Sequence, residues 1–176
     1  MKHVIIVDKN DKELGKCCKQ KAHKQAIRHR AFSIFVFNSK GQLLIQKRHP
    51  KKYHSGGLWS NSCCSHPTPG QTTDDAANMR LKEEMGIHCT IRKVSSFSYL
   101  SKVGDNIFEH EYDHIYSGIS DEAPQLNHDE AIDFKWVGIR DLLSDMTSNK
   151  ASYTTWFKMI MNDYEYRRLL DPELTC

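Results

Sequence analysis

The stretch Arg30-Ala31-Phe32-Ser33-Ile34-Phe35-Val36-Phe37, followed by Asn38-Ser39-Lys40-Gly41 and then Gln42-Leu43-Leu44-Ile45-Gln46-Lys47-Arg48, decides the fold class. Residues 30–37 are rich in aromatic and β-branched side chains, which suit a pleated, half-buried surface. Asn38 to Gly41 supplies turn formers, and Gln42 to Arg48 alternates well enough for a partner strand. A β-hairpin over 30–48 is therefore expected.

Working outward, residues 2–8 read as a strand that ends in the polar turn Asn10-Asp11-Lys12, while Gly15 to Lys24 is polar and ambiguous. A basic loop with Gly56-Gly57 leads into Trp59-Ser60-Asn61-Ser62-Cys63-Cys64-Ser65-His66-Pro67. Pro67, Pro69 and Gly70 break the chain, and Thr72-Thr73-Asp74-Asp75 is a good helix start with acids in the first turn. That helix is expected to run to about Met85 and stop at Gly86, with Ala77, Leu81 and Met85 on its buried stripe. Residues 88–98 and 107–117 are strand-like around the turn Val103-Gly104-Asp105-Asn106. Ala131 to Val137 is another strand, Arg140 to Asp145 a short helix, and Ser152 to Leu170 a terminal amphipathic helix. Strands and helices mix without βαβ alternation, so the expectation is an α/β (α+β) fold, a mixed β-sheet sandwich with helices on both faces. With 176 residues and no linker or repeat, 1–176 reads as a single domain.

The composition, 39% hydrophobic and 27% charged, is that of an ordinary soluble protein. The net charge of +3 is small and dispersed, apart from the cluster Lys47-Arg48-His49-Pro50-Lys51-Lys52, and argues against a nucleic-acid partner. No apolar run approaches the roughly 20 residues of a membrane-spanning helix, and the apolar core of residues 1–8 is too short for a signal peptide. The cysteines at 17, 18, 63, 64, 89 and 176 include two adjacent pairs, poor geometry for a disulfide framework. Reduced thiols in a cytoplasmic protein are expected. There is no C-x-x-C pair for structural zinc, and Cys176 lacks the following residues of a prenylation box.

In an extended segment Cys64 and His66 share one face, and Cys63 turns the other way into packing. Cys64 is then a possible nucleophile, base or redox thiol beside a possible metal ligand. In the strand Phe108-Glu109-His110-Glu111-Tyr112-Asp113-His114, the acids Glu109, Glu111 and Asp113 line one face, and His110, Tyr112 and His114 the other. Two carboxylates on one face repel each other unless solvated or bridged by a cation. His23 and His29 flank the start of the aromatic strand. If His23, His29, His66, Glu109 and Glu111 converge, they make a five-ligand N/O site suited to Mn²⁺ or Zn²⁺, or to Mg²⁺ if it tolerates nitrogen. On the helix, Glu84 lies on the inward edge between Leu81 and Met85, and its alternative duty is an i,i+4 pair with Arg80.

Leu81-Lys82-Glu83-Glu84-Met85-Gly86-Ile87 resembles the tail of a Nudix box, whose helical glutamates bind metal on a diphosphate. The box expects Arg-Glu where this chain has Met79-Arg80, and Glu where it has Gln71. Together with His29-Arg30-Ala31-Phe32-Ser33, the Trp59 to Pro67 stretch, Glu109-His110-Glu111 and Thr155-Trp156-Phe157, it makes the chain similar to the type I isopentenyl-diphosphate delta-isomerases, a Nudix-like family. The resemblance spans residues 15–157, with one residue fewer between His23 and His29 than the family pattern has.

The resemblance implies interconversion of isopentenyl and dimethylallyl diphosphate in isoprenoid biosynthesis. It implies one divalent metal on His23, His29, His66, Glu109 and Glu111, and a catalytic pair of Cys64 and Glu111 assisted by Tyr99. A second ion, Mg²⁺ carried on the diphosphate, would be held by Glu84. Lys19, Arg48, Lys52 and Arg80 would meet phosphate oxygens, and Trp156 would offer its aromatic face to a carbocation. The implied partner is a small diphosphate, with no nucleic acid or membrane involved, acting on a monomer. The competing readings are a Nudix-type diphosphate hydrolase, which leaves Cys64 without a duty, and a non-catalytic diphosphate-binding module.

Overall fold

The computed structural model describes residues 2–170, so Cys176 lies outside the described residues. Strand β1 (His3–Val7) pairs antiparallel with β2 (Glu13–Cys18), and α1 (Lys19–Lys24) follows directly. The ambiguous polar stretch from Gly15 to Lys24 is thus an exposed edge strand and a short helix. Next come β3 (His29–Phe37), β4 (Gln42–Arg48), β5 (Trp59–Ser60), β6 (Cys63–Ser65) and α2 (Thr73–Met85). They are followed by β7 (Ile91–Gly104), β8 (Ile107–Ile119), β9 (Ala131–Gly138), α3 (Ile139–Ser148), α4 (Thr155–Asn162) and α5 (Tyr164–Leu170).

Strand β3 is the spine. It runs parallel to β8 in a register that sets His29 opposite Glu111 and Phe37 opposite Ile119. It is also antiparallel to β6, with Ser33 opposite Cys64. Outside β8 lies β7, antiparallel, and on the far side β4 carries β9 and β5. The β3–β4 turn forms as expected: Asn38 Oδ1 accepts from the N–H groups of Lys40 and Gln42, and Gly41 takes φ 70°. The strands, however, pair only at Phe37–Leu43 and then part. The cause is a polar wedge. Ser62 Oγ accepts from Val36 N–H at 2.8 Å and donates to Leu44 C=O at 2.7 Å. Asn61 Nδ2 donates to Ile34 C=O at 3.1 Å, satisfying backbone that a continuous hairpin would have paired.

Alternation along β3 and β4 fills two cores. Phe32, Ile34, Val36 and Leu44 pack with Ala76, Ala77, Leu81 and Met85 of α2, while Phe35, Phe37, Leu43 and Ile45 pack with Leu142, Phe157, Ile160 and Met161 of α3 and α4. The result is a mixed α+β sheet with helices on both faces. Helix α2 has the boundaries read from sequence, capped by Thr72, whose Oγ1 accepts from Asp75 N–H, and closed by Gly86 in the left-handed region. Strand β7 runs on to Gly104, so the turn before β8 shrinks to Asp105–Asn106. The single terminal helix expected over 152–170 is two helices. Asp163 breaks it, because its carboxylate accepts from Glu165 and Tyr166 N–H at 2.8 and 3.3 Å and caps a new helix start. No helix of the described residues is long and apolar enough to cross a membrane.

Candidate active site and metal centre

A cavity of about 300 Å³ opens where α1, β3, β6, β8 and α2 meet. Because β3 lies between β6 and β8, Cys64 reaches the cavity from one side of the spine and Glu111 from the other. Cys63, on the opposite face, is fully buried in the α2 core. The β7–β8 register sets Tyr99 beside Glu111, and the phenol donates to Glu111 Oε2 at 2.7 Å, with its oxygen also 3.1 Å from Glu109 Oε2.

His23, His29, His66 and Glu111 converge, with ligand atoms all within 4.8 Å of one another. His29 Nδ1 donates to Ile27 C=O at 2.8 Å, which fixes its tautomer and leaves a lone pair on Nε2. That lone pair faces Glu111 Oε1 at 3.5 Å, and His66 Nε2 lies 2.8 Å from the same oxygen. Both nitrogens of the wholly buried His23 lack a partner among the described residues, as does His29 Nε2. Three unpartnered imidazole nitrogens beside a carboxylate are what a divalent cation needs and what a closed core would not tolerate. Burial drives the His23 and His66 imidazoles down to about 3, so both are neutral and available as ligands. Burial alone would raise Glu111, but the His29 and His66 imidazoles beside it outweigh burial and hold this carboxyl well below its usual range.

Glu109 is not drawn into that group of four. It stands next to it, with Oε1 3.5 Å from His54 Nε2, and burial beside the Glu111 charge pushes its carboxyl well above the usual range. His54 is a site residue that sequence reasoning missed. Its side chain is buried, and its ring contacts those of His23 and Trp156 with centroids 5.2 and 6.2 Å away. The only signal was its place just after the basic cluster.

Cys64 Sγ accepts from Arg48 Nη1 at 3.5 Å. Burial raises the thiol to about 11 despite the nearby guanidinium, so it carries its proton at neutral pH. Arg48 also donates to Ser55 and His54 carbonyls, which ties the basic loop back over the cavity. Its Cζ lies 5.2 Å from the Trp156 ring, so one face of this indole already holds a cation. Trp156 Nε1 donates to Asn61 Oδ1 at 3.1 Å, which orients the ring on the wedge that carries Cys64.

The cationic side chains expected to meet phosphate all line the cavity. Lys19 opens α1, and burial lowers its ammonium to about 8 although Glu111 and Glu109 pull it upward. Lys52 pairs with Glu130. Arg80 is heavily engaged: Nη1 donates to Glu83 at 2.8 Å, and Nη2 to Glu84 at 2.5 Å and Glu130 at 2.8 Å. Glu84 is buried, held by Arg80 on one oxygen and by Gln46 Nε2 at 3.1 Å on the other. The pair with Arg80, the alternative duty read for Glu84, is formed, and the side chain also lines the cavity. Gln71 and Met79 line the same cavity.

The NUDIX domain family matches residues 27–157. An isopentenyl-diphosphate Delta-isomerase 2 of Photorhabdus laumondii is 47% identical over 164 residues, covering 93% of each chain. An isopentenyl-diphosphate Delta-isomerase of Serratia proteamaculans is 47% identical over 160 residues, covering 91% of this chain and 89% of that one. Among solved structures, a Deinococcus radiodurans protein superposes with a TM-score of 0.76 at 20% identity, covering 93% of this chain and 99% of that one. The MutT protein of Methanosarcina mazei gives 0.66 at 15% identity over 80% of this chain and 94% of its own, a likeness of fold alone.

Proposed function

The chain belongs to the NUDIX family and, within it, to the isopentenyl-diphosphate Delta-isomerases, and on that premise we propose that it interconverts isopentenyl and dimethylallyl diphosphate. One juxtaposition carries the reading. Cys64 and Glu111 enter one cavity from two sides of β3, beside a cluster of three imidazoles and among lining lysines and arginines.

The chemistry explains why two modest proton-transfer groups suffice. A C–H beside an unactivated alkene is far too weak an acid for a thiolate or carboxylate. Protonation of the terminal methylene carbon comes first and leaves a tertiary cation. The adjacent C–H is then acidic enough to give its proton to the second group, and the double bond re-forms one position along. One proton enters, one leaves, and nothing is oxidised or reduced. Cys64 and Glu111 are the acid–base pair: one starts protonated and the other does not, and reversal exchanges their roles. Tyr99 holds Glu111 by its hydroxyl. A divalent cation, Mn²⁺, Zn²⁺ or Mg²⁺, held by His23, His29, His66, Glu111 and, on a small shift, Glu109, would fix the Glu111 carboxylate and lower its basicity. Trp156, which lines the cavity, offers its aromatic ring to the carbocation. Water would trap such a cation, so the cavity must close over the substrate.

Lys19, Arg48, Lys52 and Arg80 bind the diphosphate, and Glu84 takes an accompanying Mg²⁺. In this reading the enzyme is a single-domain cytoplasmic monomer whose partner is a small diphosphate, neither nucleic acid nor membrane. The hydrolase alternative fails on Gln71, Met79 and Arg80. Gln71 and Arg80 stand where a Nudix box has glutamates, and Met79 where it has arginine; all three line the cavity without supplying a carboxylate to collect metals or activate water.

The test is isopentenyl diphosphate with Mg²⁺ and Mn²⁺ in D₂O, followed by NMR. Dimethylallyl diphosphate bearing deuterium, with no phosphate released, is the expected product. Phosphate without isomer would replace the isomerase by a hydrolase.

A further inference from the structure

We propose that Glu130 is a positioning residue, whose carboxylate holds Lys52 and Arg80 as a spaced pair ready to receive a phosphate group. The proposal rests on the reading of this cavity as a diphosphate site.

Glu130 sits just before β9, remote in sequence from both cations, and each of its oxygens meets one of them: Oε2 the Lys52 ammonium, Oε1 Arg80 Nη2 at 2.8 Å. The two cations come from different elements. Arg80 is on α2, while Lys52 is on the loop after β4, a long side chain with four other lysines and arginines lining the same cavity. Left alone, Lys52 would be repelled by Arg48 and Arg80 and would spread over many rotamers. The bite of a carboxylate is close to that of two phosphoryl oxygens, so cations spaced by the one are spaced for the other.

The main chain fixes Glu130 for this task. Its C=O accepts from His49 N–H at 2.9 Å, at the start of the basic loop, and its N–H donates to Asn127 C=O at 2.9 Å. Asn127 N–H in turn donates to Glu84 C=O at 3.0 Å, and Gln125 N–H to Met85 C=O at 2.7 Å. Residues 125–131 therefore clip the end of α2 to the basic loop. Gly86 permits the clip to sit this close: a Cβ there would stand 2.6 Å from Gln125 Cβ, on a backbone at φ 67°. Glu83 cannot do the same work, because it reaches only Arg80 and its side chain is 45% exposed.

The experiment compares wild type and Glu130→Gln in calorimetric binding of Mg²⁺-diphosphate and in steady-state kinetics. The charge is lost while shape and the main-chain clip stay. The expected result is a Kd for diphosphate weakened about ten- to a hundredfold, KM for isopentenyl diphosphate raised by the same factor, and kcat within about threefold. A purely structural tether would lower the melting temperature without this split between KM and kcat. Binding within about twofold of wild type, or tighter binding, would overturn the proposal, the latter by making Glu130 a competitor of the substrate. A wild type that binds diphosphate in a Glu130-dependent way but forms no isomer would remove the isomerase reading and leave the role of Glu130 standing. A wild type that binds no diphosphate would remove both.

Discussion

On the outward face of β8 the imidazoles of His110 and His114 both have hydrogen-bond partners. His110 has Nδ1 2.8 Å from Ala26 C=O, and its Nε2 accepts from Arg28 Nε at 3.1 Å; His114 Nε2 is 2.8 Å from Asp11 Oδ2. Against the inward face, His23 has no partner on either nitrogen among the described residues, and His29 presents a bare lone pair to a carboxylate. Residues of the same type, on the two sides of one strand, thus differ in whether their hydrogen bonds are met within the chain. A buried polar atom left unmet costs free energy, of the order of 1–3 kcal/mol. Its persistence at several convergent atoms marks a site completed by something from outside the chain, whereas a satisfied histidine marks structure.

The contrast is broken most severely at the chemistry of the inward face. Cys64→Ala and Glu111→Gln should each lower kcat for isomerisation by about 10²–10⁴-fold, measured as dimethylallyl diphosphate formed. A Cys64→Ala enzyme that keeps most of its rate would remove the thiol from the acid–base pair. On the outward face, His114→Ala should leave turnover intact and lower the stability in urea by about 1–3 kcal/mol, because Asp11 loses a partially buried partner. Cys63→Ala, one position from Cys64 but turned into the α2 core, should cost about 1 kcal/mol of stability with chemistry retained.

A smaller effect sharpens the comparison by pH. Burial, with Lys93 nearby, holds the His114 imidazole below its ordinary 6.5 despite Asp11. The unfolded chain therefore binds the proton first on acidification. The contribution of His114 is present above pH 6.5 and is lost as the pH falls below it. Urea midpoints at pH 7 and pH 5 should show that loss in wild type and a shallower slope in His114→Gln.

Much of this was legible in the sequence because it depends on local periodicity. The α2 stripe and its Gly86 stop, the alternation of acids and imidazoles along 108–114, and the opposite facing of Cys63 and Cys64 all follow from i+2 and i+4 geometry. The parting of β3 from β4 was not legible, since it hangs on the Ser62 and Asn61 side chains replacing ladder bonds made some 20 residues away. Nor was the break at Asp163, where a capping carboxylate outweighs an apolar period that continues through it. In the site, His23, His29, His66 and Glu111 could be chosen as residue types, but their meeting depends on the parallel β3–β8 register. His54 and Glu130 carried no motif, and both act through partners remote in the chain, Glu109 for the one and Lys52 and Arg80 for the other.

The most direct test is a count of bound divalent metal per chain, by elemental analysis after reconstitution and desalting, in wild type, His29→Ala and His114→Ala. The account predicts one tightly held ion in wild type and in His114→Ala, and its loss in His29→Ala. A wild type that retains no divalent metal, or a His29→Ala variant that retains it as well as His114→Ala does, would contradict it.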